Sequence, residues 1–259
     1  MNMNDHSSLL YSMEFLPRSS GTASGSGFGM LSAFLTKAAA GDMGKNTFPA
    51  NANRLEIMKI LGVEDIVTLR QDHTREVFTA DEIAGKRGVK GDGIITSGRE
   101  TLAVTVADCL PIFLWDRKKK VYGVVHSGWK GTGIAVNAVR KMGKEYGSMA
   151  EDISVIIGPS IGKCCYEVDR ERAENFASEW GRESVVNTVS SVSSVSSVSS
   201  DPRFYLDLQK ANSIALAAEG VCDITSSDIC TCCGSGFFSY RREGAKDFSL
   251  MLALISYFR

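Results

Sequence analysis

Two histidines and one cysteine stand out in this sequence because their side chains together could bind a transition-metal ion. His73 lies in the stretch QDHTREV, Cys109 in VADCLPI and His126 in VVHSGWKG. Two imidazoles and one thiolate suit Zn²⁺ or copper, and a centre with three protein ligands keeps a fourth position open for water or substrate. An open position is typical of catalytic rather than structural zinc, so these residues indicate a metal-dependent enzyme.

A structural interpretation of the same residues is also open at this stage. The chain has three histidines, and the remaining one, His6, lies in a polar N-terminal stretch. His73 and His126 could be surface histidines or hydrogen-bonded core histidines, and Cys109 could be a small buried apolar residue. Residue type and spacing alone do not decide between the two interpretations.

The predicted strands place the three side chains where they could meet. We predict strands over residues 63–73, 91–97, 101–116 and 118–128, with a break in the third at 107–111. His73 and His126 lie at strand ends and Cys109 lies in the break, so the three side chains can converge on one edge of a sheet.

The segment after His126 has features of an anion-binding turn. Gly128 and Gly131 let the backbone turn tightly and leave room for a ligand. A helix predicted from about Thr132 offers N–H groups at its N-terminus, which suit phosphate or a developing anion.

The remaining pattern predicts one α+β domain over residues 1–259. Further helices are predicted over 51–62, 132–147, 169–181 and 206–220, and further strands over 153–159, 237–244 and 248–258, the last of which could also be a helix. Because strands and helices do not alternate strictly, mixed sheets fit better than a doubly wound Rossmann fold. Residues 1–50 are weakly patterned and include a Gly/Ser loop at 18–30, and residues 186–201, with four Val-Ser-Ser copies, are predicted to be a solvated loop insertion.

Composition excludes several classes of protein. The 259 residues carry a formal net charge of −1, so the basic surface of a nucleic-acid-binding protein is not expected. There is no apolar run of about 20 residues that would span a membrane, and no signal-peptide core near the N-terminus. We therefore expect a cytoplasmic protein whose seven cysteines are reduced thiols. The C-x-C-C spacing of Cys230, Cys232 and Cys233 lacks the partner pair of a structural zinc site, so we do not expect one there.

Four stretches carry a specific family resemblance, namely TVADCLPIFLWD, VYGVVHSGWKG, IGPSIGKCCYEVD and CTCCGSGFFSYRREG. They resemble the laccase-domain family, whose members are also called multicopper polyphenol oxidase-like proteins and include purine nucleoside phosphorylases. The similarity runs in order from about Asn53 to the C-terminus. It implies a layered α/β/β/α fold with mixed sheets and a metal site formed by His73, Cys109 and His126, with zinc as the expected metal and copper possible.

The same resemblance implies an activity. Family members are described as cleaving adenosine, inosine, guanosine and methylthioadenosine by phosphorolysis and as deaminating adenosine. The implied partners are therefore purine nucleosides and phosphate, with neither nucleic acid nor membrane, and the oligomeric state is left open. An open zinc site can lower the pKa of bound water to about 7, which fits deamination.

Two alternative functions stay open. One is a copper-dependent phenol oxidase, which is disfavoured because three histidines cannot supply the imidazoles of a multicopper centre. The other is a partner-dependent module in the quality control of cell-envelope precursors.

Four charged residues are candidates for roles beside the metal, and each has a structural alternative. Asp108 could orient a ligand or carry a proton, or it could be a turn residue at a strand end. Asp92 could hold a ribose hydroxyl or cap a turn. Lys130 and Arg241 could bind phosphate or be solvated surface cations.

Three further candidates come from the family motifs. Asn53 and Arg54 match an Asn-Arg pair that is either near the site or a helix cap. Cys165, next to Cys164, either lines the pocket or packs beside Tyr166.

The chain departs from the family pattern in three motifs, where Asp72 also replaces valine and Ser127 replaces alanine. Thr74 follows His73 where the family has glycine, Lys130 stands where it has arginine, and Cys232 where it has tyrosine. Lysine lacks the bidentate fork of arginine. We therefore expect phosphorolysis to be affected more than deamination.

Overall fold

The computed structural model describes residues 7–15, 31–44, 51–187 and 202–258. In these ranges the strands are β1 (Leu10–Met13), β2 (Leu31–Thr36), β3 (Val77–Thr79), β4 (Gly93–Thr96), β5 (Leu102–Val106), β6 (Leu110–Asp116), β7 (Val121–Ser127), β8 (Ile153–Ile157), β9 (Glu167–Val168), β10 (Val185–Asn187), β11 (Phe204–Leu206), β12 (Asp223–Ser226) and β13 (Met251–Tyr257). The α-helices are α1 (Ala52–Leu61), α2 (Ala80–Ile83), α3 (Ile134–Tyr146), α4 (Arg170–Trp180), α5 (Leu208–Ala218) and α6 (Tyr240–Glu243).

Most of the strands belong to two sheets. The larger sheet has the order β12-β8-β6-β7-β4-β3 and is mixed, because the β8–β12 and β3–β4 pairs are parallel and the other pairs are antiparallel. The smaller sheet is antiparallel and has the order β1-β2-β13-β5. A short third sheet, β10-β11-β9, is also antiparallel.

Three apolar clusters separate four layers. The cluster between the two large sheets contains Phe113 and Tyr122 of the larger sheet and Val104 of the smaller one. On the other face of the larger sheet, side chains of β6, β7 and β8 pack against α3, α4 and α5. On the other face of the smaller sheet, side chains of β2, β5 and β13 pack against α1. The predicted α+β class and the layered α/β/β/α arrangement are thereby confirmed.

The break predicted inside residues 101–116 is the point where the chain changes sheets. β5 ends at Val106 in the smaller sheet and β6 begins at Leu110 in the larger one. Both faces of each strand are covered, which is why both halves are rich in apolar residues. Cys109 therefore lies in the short crossing between the two sheets.

The predicted helices over 51–62, 132–147, 169–181 and 206–220 are confirmed with small shifts of their ends. Asn51 caps α1, and Gly62 ends it in the left-handed conformation with φ of 66°. The side chain of Asp169 caps α4 by accepting a hydrogen bond from the N–H of Arg172.

Two predicted strands are wrong. Residues 63–73 form only isolated bridges, Val67 with Leu102 and Arg70 with Lys90. The two bridges are made to different parts of the chain, so no continuous ladder forms. Residues 237–244 contain helix α6 in place of a strand. Ser239 caps α6 by accepting from the N–H of Arg242, and a serine cap favours a helical turn over an extended chain.

The predicted strand over 248–258 is confirmed as β13, and its helical alternative is wrong. β13 pairs with β2 on one side and β5 on the other, which satisfies its backbone as a central strand. In the weakly patterned residues 1–50, β1 and β2 form two strands of the smaller sheet that the pattern did not reveal.

Two sequence-based predictions fall wholly or partly outside the described residues. The Gly/Ser loop at 18–30 lies wholly outside them. Of the predicted insertion at 186–201, Val186 and Asn187 belong to β10 and pair with β11, which corrects its first boundary, and residues 188–201 lie outside the described part. Among the helices that the structure describes, none has the length and apolar character required to cross a bilayer.

Candidate functional site

The structure brings His73, Cys109 and His126 together. Their possible ligand atoms all lie within 4.8 Å of one another. The Nε2 atom of His73 is 3.8 Å from the Sγ atom of Cys109, and the two imidazole rings meet edge to face with centroids 4.8 Å apart. We call these three side chains the triad.

Antiparallel pairing explains why two members of the triad are neighbours. β6 and β7 are antiparallel neighbours, with Pro111 opposite His126. The start of β6 and the end of β7 therefore lie side by side at the same end of these two strands. Cys109 immediately precedes β6. His73 reaches the same place from a turn, with φ of 56°, a conformation that costs a non-glycine residue about 1–2 kcal/mol.

Asp92 holds that turn and His126 in place. One carboxylate oxygen accepts from the Nδ1 atom of His126 at 2.8 Å and from the backbone N–H of His73 at 3.1 Å. The other accepts from the backbone N–H and the hydroxyl of Thr74, at 2.7 and 2.8 Å, and from the N–H of Asp72 at 3.2 Å. Because Asp92 is fully buried, its carboxylate positions the triad and does not face the cavity, where a ribose contact would be made.

Asp108 plays a similar part on the other side of Cys109. Its carboxylate accepts from the hydroxyls of Thr231 and Ser239, at 2.6 and 3.0 Å, and from the backbone N–H of Arg241 at 2.7 Å. Its own φ is 79°. With both oxygens bound to protein donors, Asp108 is suited to hold the crossing that presents Cys109, rather than to carry a proton.

Gly128 leaves the space that the triad occupies. A Cβ atom at this position would lie 2.9 Å from the Sγ of Cys109 and 3.1 Å from the Cδ2 of His73. Glycine is therefore needed at position 128 because the backbone passes close to the side chains of Cys109 and His73 there.

The donor set fits a metal ion. Ligand atoms that lie 2.0–2.3 Å from a tetrahedral zinc are about 3.3–3.8 Å apart, and the Nε2 atom of His73 and the Sγ atom of Cys109 are 3.8 Å apart. The hydrogen bond from Nδ1 of His126 to Asp92 leaves Nε2 as the metal-binding nitrogen, and such a carboxylate partner is usual for a metal-binding histidine.

Cys109 and His126 shift each other's pKa in opposite directions. Burial by itself would raise the pKa of Cys109, but the charge of His126 and hydrogen bonds to His126 and His73 lower it to about 6. Burial by itself would lower the pKa of His126, but Cys109 and Asp92 raise it to about 9. Without metal, the pair is therefore a thiolate and an imidazolium at neutral pH.

This ionisation predicts an unusually reactive thiol in metal-free protein. Cys109 should be alkylated by iodoacetamide with a midpoint near pH 6, because its pKa is lowered to about 6, whereas an ordinary thiol has a pKa of about 8.5. Brief labelling at a series of pH values, followed by peptide mass spectrometry, measures the midpoint. Added Zn²⁺ should suppress the labelling.

The matched control for this prediction is His126→Gln. The variant removes the imidazolium that stabilises the thiolate, so the labelling midpoint of Cys109 should move upward toward that of an ordinary thiol. An unchanged midpoint in the variant would show that the two groups are not electrostatically coupled.

The triad lies on the wall of a cavity of about 580 Å³, which is within the range of small-molecule sites. Half of the residues that line it are aromatic or aliphatic, and two are arginines. The aromatic side chains are Trp129, Tyr166, Tyr240 and Phe248, and the arginines are Arg172 and Arg241.

Arg241 lines this cavity, as the sequence predicted, and is anchored there. Its Nη1 atom donates to the carbonyl oxygens of Cys165 and Glu167, at 3.2 and 3.0 Å, and its guanidinium lies 5.3 Å from the ring centroid of Tyr166. The predicted contact of Arg241 with phosphate stays a prediction, and its position is consistent with it.

Other predicted substrate contacts lie elsewhere. Lys130 lines a neighbouring cleft of about 480 Å³, which shares Trp129 and Arg172 with the cavity. The side chains of Asn53 and Arg54 donate to the carbonyl oxygens of Asp42 and Met43. They thus secure the chain beside α1, and neither occurs among the described residues that line the cavity.

Of the two alternatives left open for Cys165, lining the cavity does not agree with the structure, and the start of α3 also differs from the expectation. The Sγ of Cys165 lies 3.2 Å from the Sγ of Cys233, and Cys165 does not line the cavity. Its carbonyl oxygen accepts a hydrogen bond from Arg241, which does line it. At the start of α3, the N–H of Gly133 donates to Asn212 and that of Ile134 to Gly131. These two N–H groups are therefore not directed at a phosphate in the cavity.

Sequence reasoning missed several cavity residues. Arg172 lies in the first turn of α4 and stacks 4.8 Å from the ring centroid of Trp129. Gln71 ties the turn before His73 to β5, because its amide group exchanges hydrogen bonds with Thr105 at 2.7–2.8 Å. The family motifs contain Tyr166 and Tyr240, which was a signal for both, but nothing in the local sequence marks Arg172.

Comparison with known proteins gives a consistent family assignment. A family model described as multi-copper polyphenol oxidoreductase laccase matches residues 32–257. The solved structure of YlmD from Geobacillus stearothermophilus is similar with a TM-score of 0.72 and 29% identity, covering 88% of this chain and 92% of that one.

Three curated relatives carry names of purine nucleoside enzymes. The purine nucleoside phosphorylase LACC1 of Mus musculus is 36% identical over 80% of this chain, which spans about half (46%) of that protein's length. A purine nucleoside phosphorylase of Clostridium acetobutylicum is 35% identical over 77% of this chain and 80% of its own length. Adenosine deaminase RL5, from an unknown prokaryotic organism, is 32% identical over 74% of this chain and 76% of its own length.

Proposed function

This chain belongs to the multi-copper polyphenol oxidoreductase laccase family, and we propose that it is a zinc-dependent enzyme of purine nucleosides. The proposed reactions are phosphorolysis of adenosine, inosine, guanosine and methylthioadenosine, and hydrolytic deamination of adenosine. The observation that carries the proposal is the triad on the wall of a cavity lined by aromatic side chains and two arginines. The names of the curated relatives support the substrate class.

The cavity has the chemistry to hold both reactants. Flat aromatic rings such as those of Trp129 and Tyr166 can pack against a purine base. Arg172 and Arg241 can hold a phosphate ion through charge-assisted hydrogen bonds. Both arginines line the same cavity as the triad, so base, sugar and phosphate can be bound close to it.

The two reactions differ in the bond that breaks. In phosphorolysis a phosphate oxygen bonds to the anomeric carbon, the glycosidic bond to N9 breaks, and the departing base takes up a proton. In deamination water adds at C6 of adenine and ammonia leaves. When bound by the triad, a zinc ion would supply Lewis-acid polarisation and lower the pKa of water to about 7.

Asp92 and Asp108 act as positioning residues in this proposal. Asp92 fixes His126 and the turn that carries His73 through its hydrogen bonds. Asp108 connects the crossing that carries Cys109 to the backbone of Arg241. The metal-binding side chains and the phosphate-binding arginine are thereby held in one rigid arrangement, which favours a productive geometry.

Product analysis of adenosine tests the proposal. Purified protein of measured zinc content is incubated with adenosine, with and without phosphate, and with a chelator followed by added zinc. Adenine and ribose 1-phosphate should appear only with phosphate, inosine should appear without it, and both should need the metal. Absence of any turnover of the four named nucleosides by zinc-loaded protein would refute the proposal.

Arg172→Ala is expected to separate the two reactions. Loss of one charge-assisted contact costs about 1.5–3 kcal/mol, so kcat/KM for phosphate should fall about 10- to 100-fold. Deamination does not use phosphate and should change by about threefold or less. Steady-state kinetics of both reactions on one preparation measure the difference.

Arg140→Ala is the matched control for Arg172→Ala. Arg140 pairs with Glu219 on the surface at 2.7 Å, and such exposed pairs contribute little. An equal fall of both reactions in Arg172→Ala, with Arg140→Ala unaffected, would contradict a specific role of Arg172 in phosphate binding.

Copper-dependent phenol oxidation is a second candidate, because a His₂Cys donor set also suits copper. Copper-loaded protein incubated with a simple phenol should then consume oxygen and lose this activity on chelation. Three histidines in the chain restrict such an oxidase to a single copper at the triad. Zinc therefore remains the metal of the main proposal.

A further inference from the structure

Four cysteine thiols from two separate loops meet outside the cavity. Cys164 and Cys165 lie in the loop between β8 and β9, and Cys230 and Cys233 lie in the loop between β12 and α6. Their Sγ atoms all lie within 4.8 Å of one another. We call these residues the four-cysteine cluster.

The thiols are close but not bonded to one another. The Sγ of Cys233 is 3.4 Å from that of Cys164 and 3.2 Å from that of Cys165. A disulfide bond is about 2.05 Å long, and all four residues are free cysteines. Four sulfur atoms bound to one tetrahedral zinc at 2.3 Å would be about 3.8 Å apart, which lies within the observed spread.

Backbone hydrogen bonds hold the two loops together. The N–H of Thr231 donates to the carbonyl oxygen of Ser160 at 3.0 Å, and the N–H of Ser160 donates to that of Ile229 at 3.4 Å. The N–H of Gly162 donates to the Sγ of Cys230 at 3.2 Å. The loops are therefore held in register by contacts that do not involve the other three thiols, so the cluster is preorganised.

Two arginines donate hydrogen bonds to the loops that carry the cluster. Arg242 donates from Nη1 to the carbonyl oxygens of Thr231, Cys232 and Gly234, at 2.9, 3.2 and 2.6 Å. Arg241 donates to the carbonyl oxygen of Cys165. Both guanidinium groups are thus fixed on the loops that carry the thiols.

We propose that Cys164, Cys165, Cys230 and Cys233 bind a second, structural zinc ion. Four thiolates in tetrahedral array are characteristic of structural zinc sites. The C-x-C-C segment that lacked a partner pair in the sequence finds that pair in Cys164 and Cys165, 65 to 69 residues earlier along the chain. This proposal replaces the expectation, made from the C-x-C-C spacing alone, that the segment forms no structural zinc site.

The second site is connected to the cavity through its loops. Thr231, between two of the cysteines, donates its hydroxyl to Asp108 at 2.6 Å. Tyr166, next to Cys165, lines the cavity. A zinc ion in the four-cysteine cluster would therefore stabilise the loops that support the crossing with Cys109 and one aromatic wall.

Metal stoichiometry tests this site independently of any enzymatic activity. Protein purified with reductant and zinc, without chelator, should contain about two zinc ions per chain by elemental mass spectrometry. The double variant Cys164→Ser/Cys233→Ser and the variant Cys109→Ala should each contain about one, and their combination close to none. Cys222→Ser and Cys232→Ser are the matched controls and should keep about two.

Cobalt substitution keeps the test valid if the double variant folds poorly. Cys109→Ala loaded with Co²⁺ should show strong thiolate-to-metal charge transfer and the ligand-field bands of a tetrahedral thiolate site. The proposal is overturned if Cys109→Ala binds no Co²⁺, or if Cys164→Ser/Cys233→Ser keeps the native zinc content. A disulfide within the cluster, detected by mass spectrometry of freshly isolated protein without reductant, would also overturn it.

Discussion

Cys109→Ala is expected to remove the metal from the triad and to lower both nucleoside reactions by about a thousandfold or more. The thiolate is the one anionic ligand in the triad, and its loss leaves two imidazoles, which are too few for a stable zinc site with three protein ligands. A bound metal contributes several kcal/mol to transition-state stabilisation, and each 1.36 kcal/mol is tenfold in rate. Zinc content and kcat/KM for phosphorolysis and deamination measure the effect.

Cys222→Ala is the matched control for this substitution. Cys222 is exposed, and its Sγ lies 3.5 Å from the carbonyl oxygen of Gly220, so the variant should keep native metal content and native rates. Both reactions should fall together in Cys109→Ala, because both depend on one site. Full activity of either reaction in a variant whose triad holds no metal would refute the role of the triad in that reaction.

Asp92→Asn is expected to weaken zinc binding by about 10- to 100-fold, as is usual when the hydrogen-bond partner of a metal-binding histidine is lost. It should also lower the free energy of unfolding by about 3 kcal/mol, because a buried carboxylate that accepts several hydrogen bonds is replaced by a group with one acceptor oxygen. Zinc titration with a competing chelator measures the first effect. Urea unfolding of metal-free protein measures the second.

The stability effect of Asp92→Asn should depend on pH in a defined direction. Burial would raise the pKa of Asp92, but hydrogen bonds from His126 and Thr74 outweigh it and lower the pKa to about 2. Stability from a lowered carboxyl pKa is present above the unfolded value of about 3.9 and is lost as pH falls through the folded value. Asp92 also raises the pKa of His126, and stability from a raised histidine pKa is lost as pH rises above the unfolded value of about 6.5. The difference between the native chain and Asp92→Asn should therefore be steady from about pH 6 to about pH 4 and shrink below it.

Asp72→Asn provides the control for Asp92→Asn. Asp72 lies in the same turn, but its side chain is exposed and pairs with Lys90 at 3.0 Å, so zinc affinity should change by about twofold or less. If both variants bound zinc equally well, the hydrogen bonds of Asp92 would not be responsible for the geometry of the triad.

Apolar patterning predicted those elements that are buried on both faces. β6, β7 and β13 lie inside sheets covered on both sides, so most residues of each strand are apolar and the signal is strong. Residues 63–73 contain several β-branched and apolar residues but form only two isolated bridges. Local pattern cannot distinguish the two cases, because pairing depends on a partner strand far away in sequence.

The roles of the acidic residues could not be predicted in the same way. Asp92 was a candidate for a ribose contact or for capping a turn. Its carboxylate accepts from the backbone of a turn at residues 72–74, which lies 18 to 20 residues earlier in the chain. Asp108 binds donors from residues more than 120 positions later. A carboxylate has the same appearance in a sequence whether it faces a cavity or a cluster of amide groups.

The sequence by itself determined the donor chemistry and the α+β class, because these depend on residue type and on apolar period. Its motifs identified the family, and the resemblance implied the layered arrangement. Only the tertiary structure decided which side chains share a site, because sheet crossings and loop contacts bring together residues that are distant in sequence. His73 joins Cys109 and His126 through the turn held by Asp92. The C-x-C-C segment, which lacked a partner pair in the sequence, meets Cys164 and Cys165 in the four-cysteine cluster. The distance between the two loops is set by the packing of the whole chain.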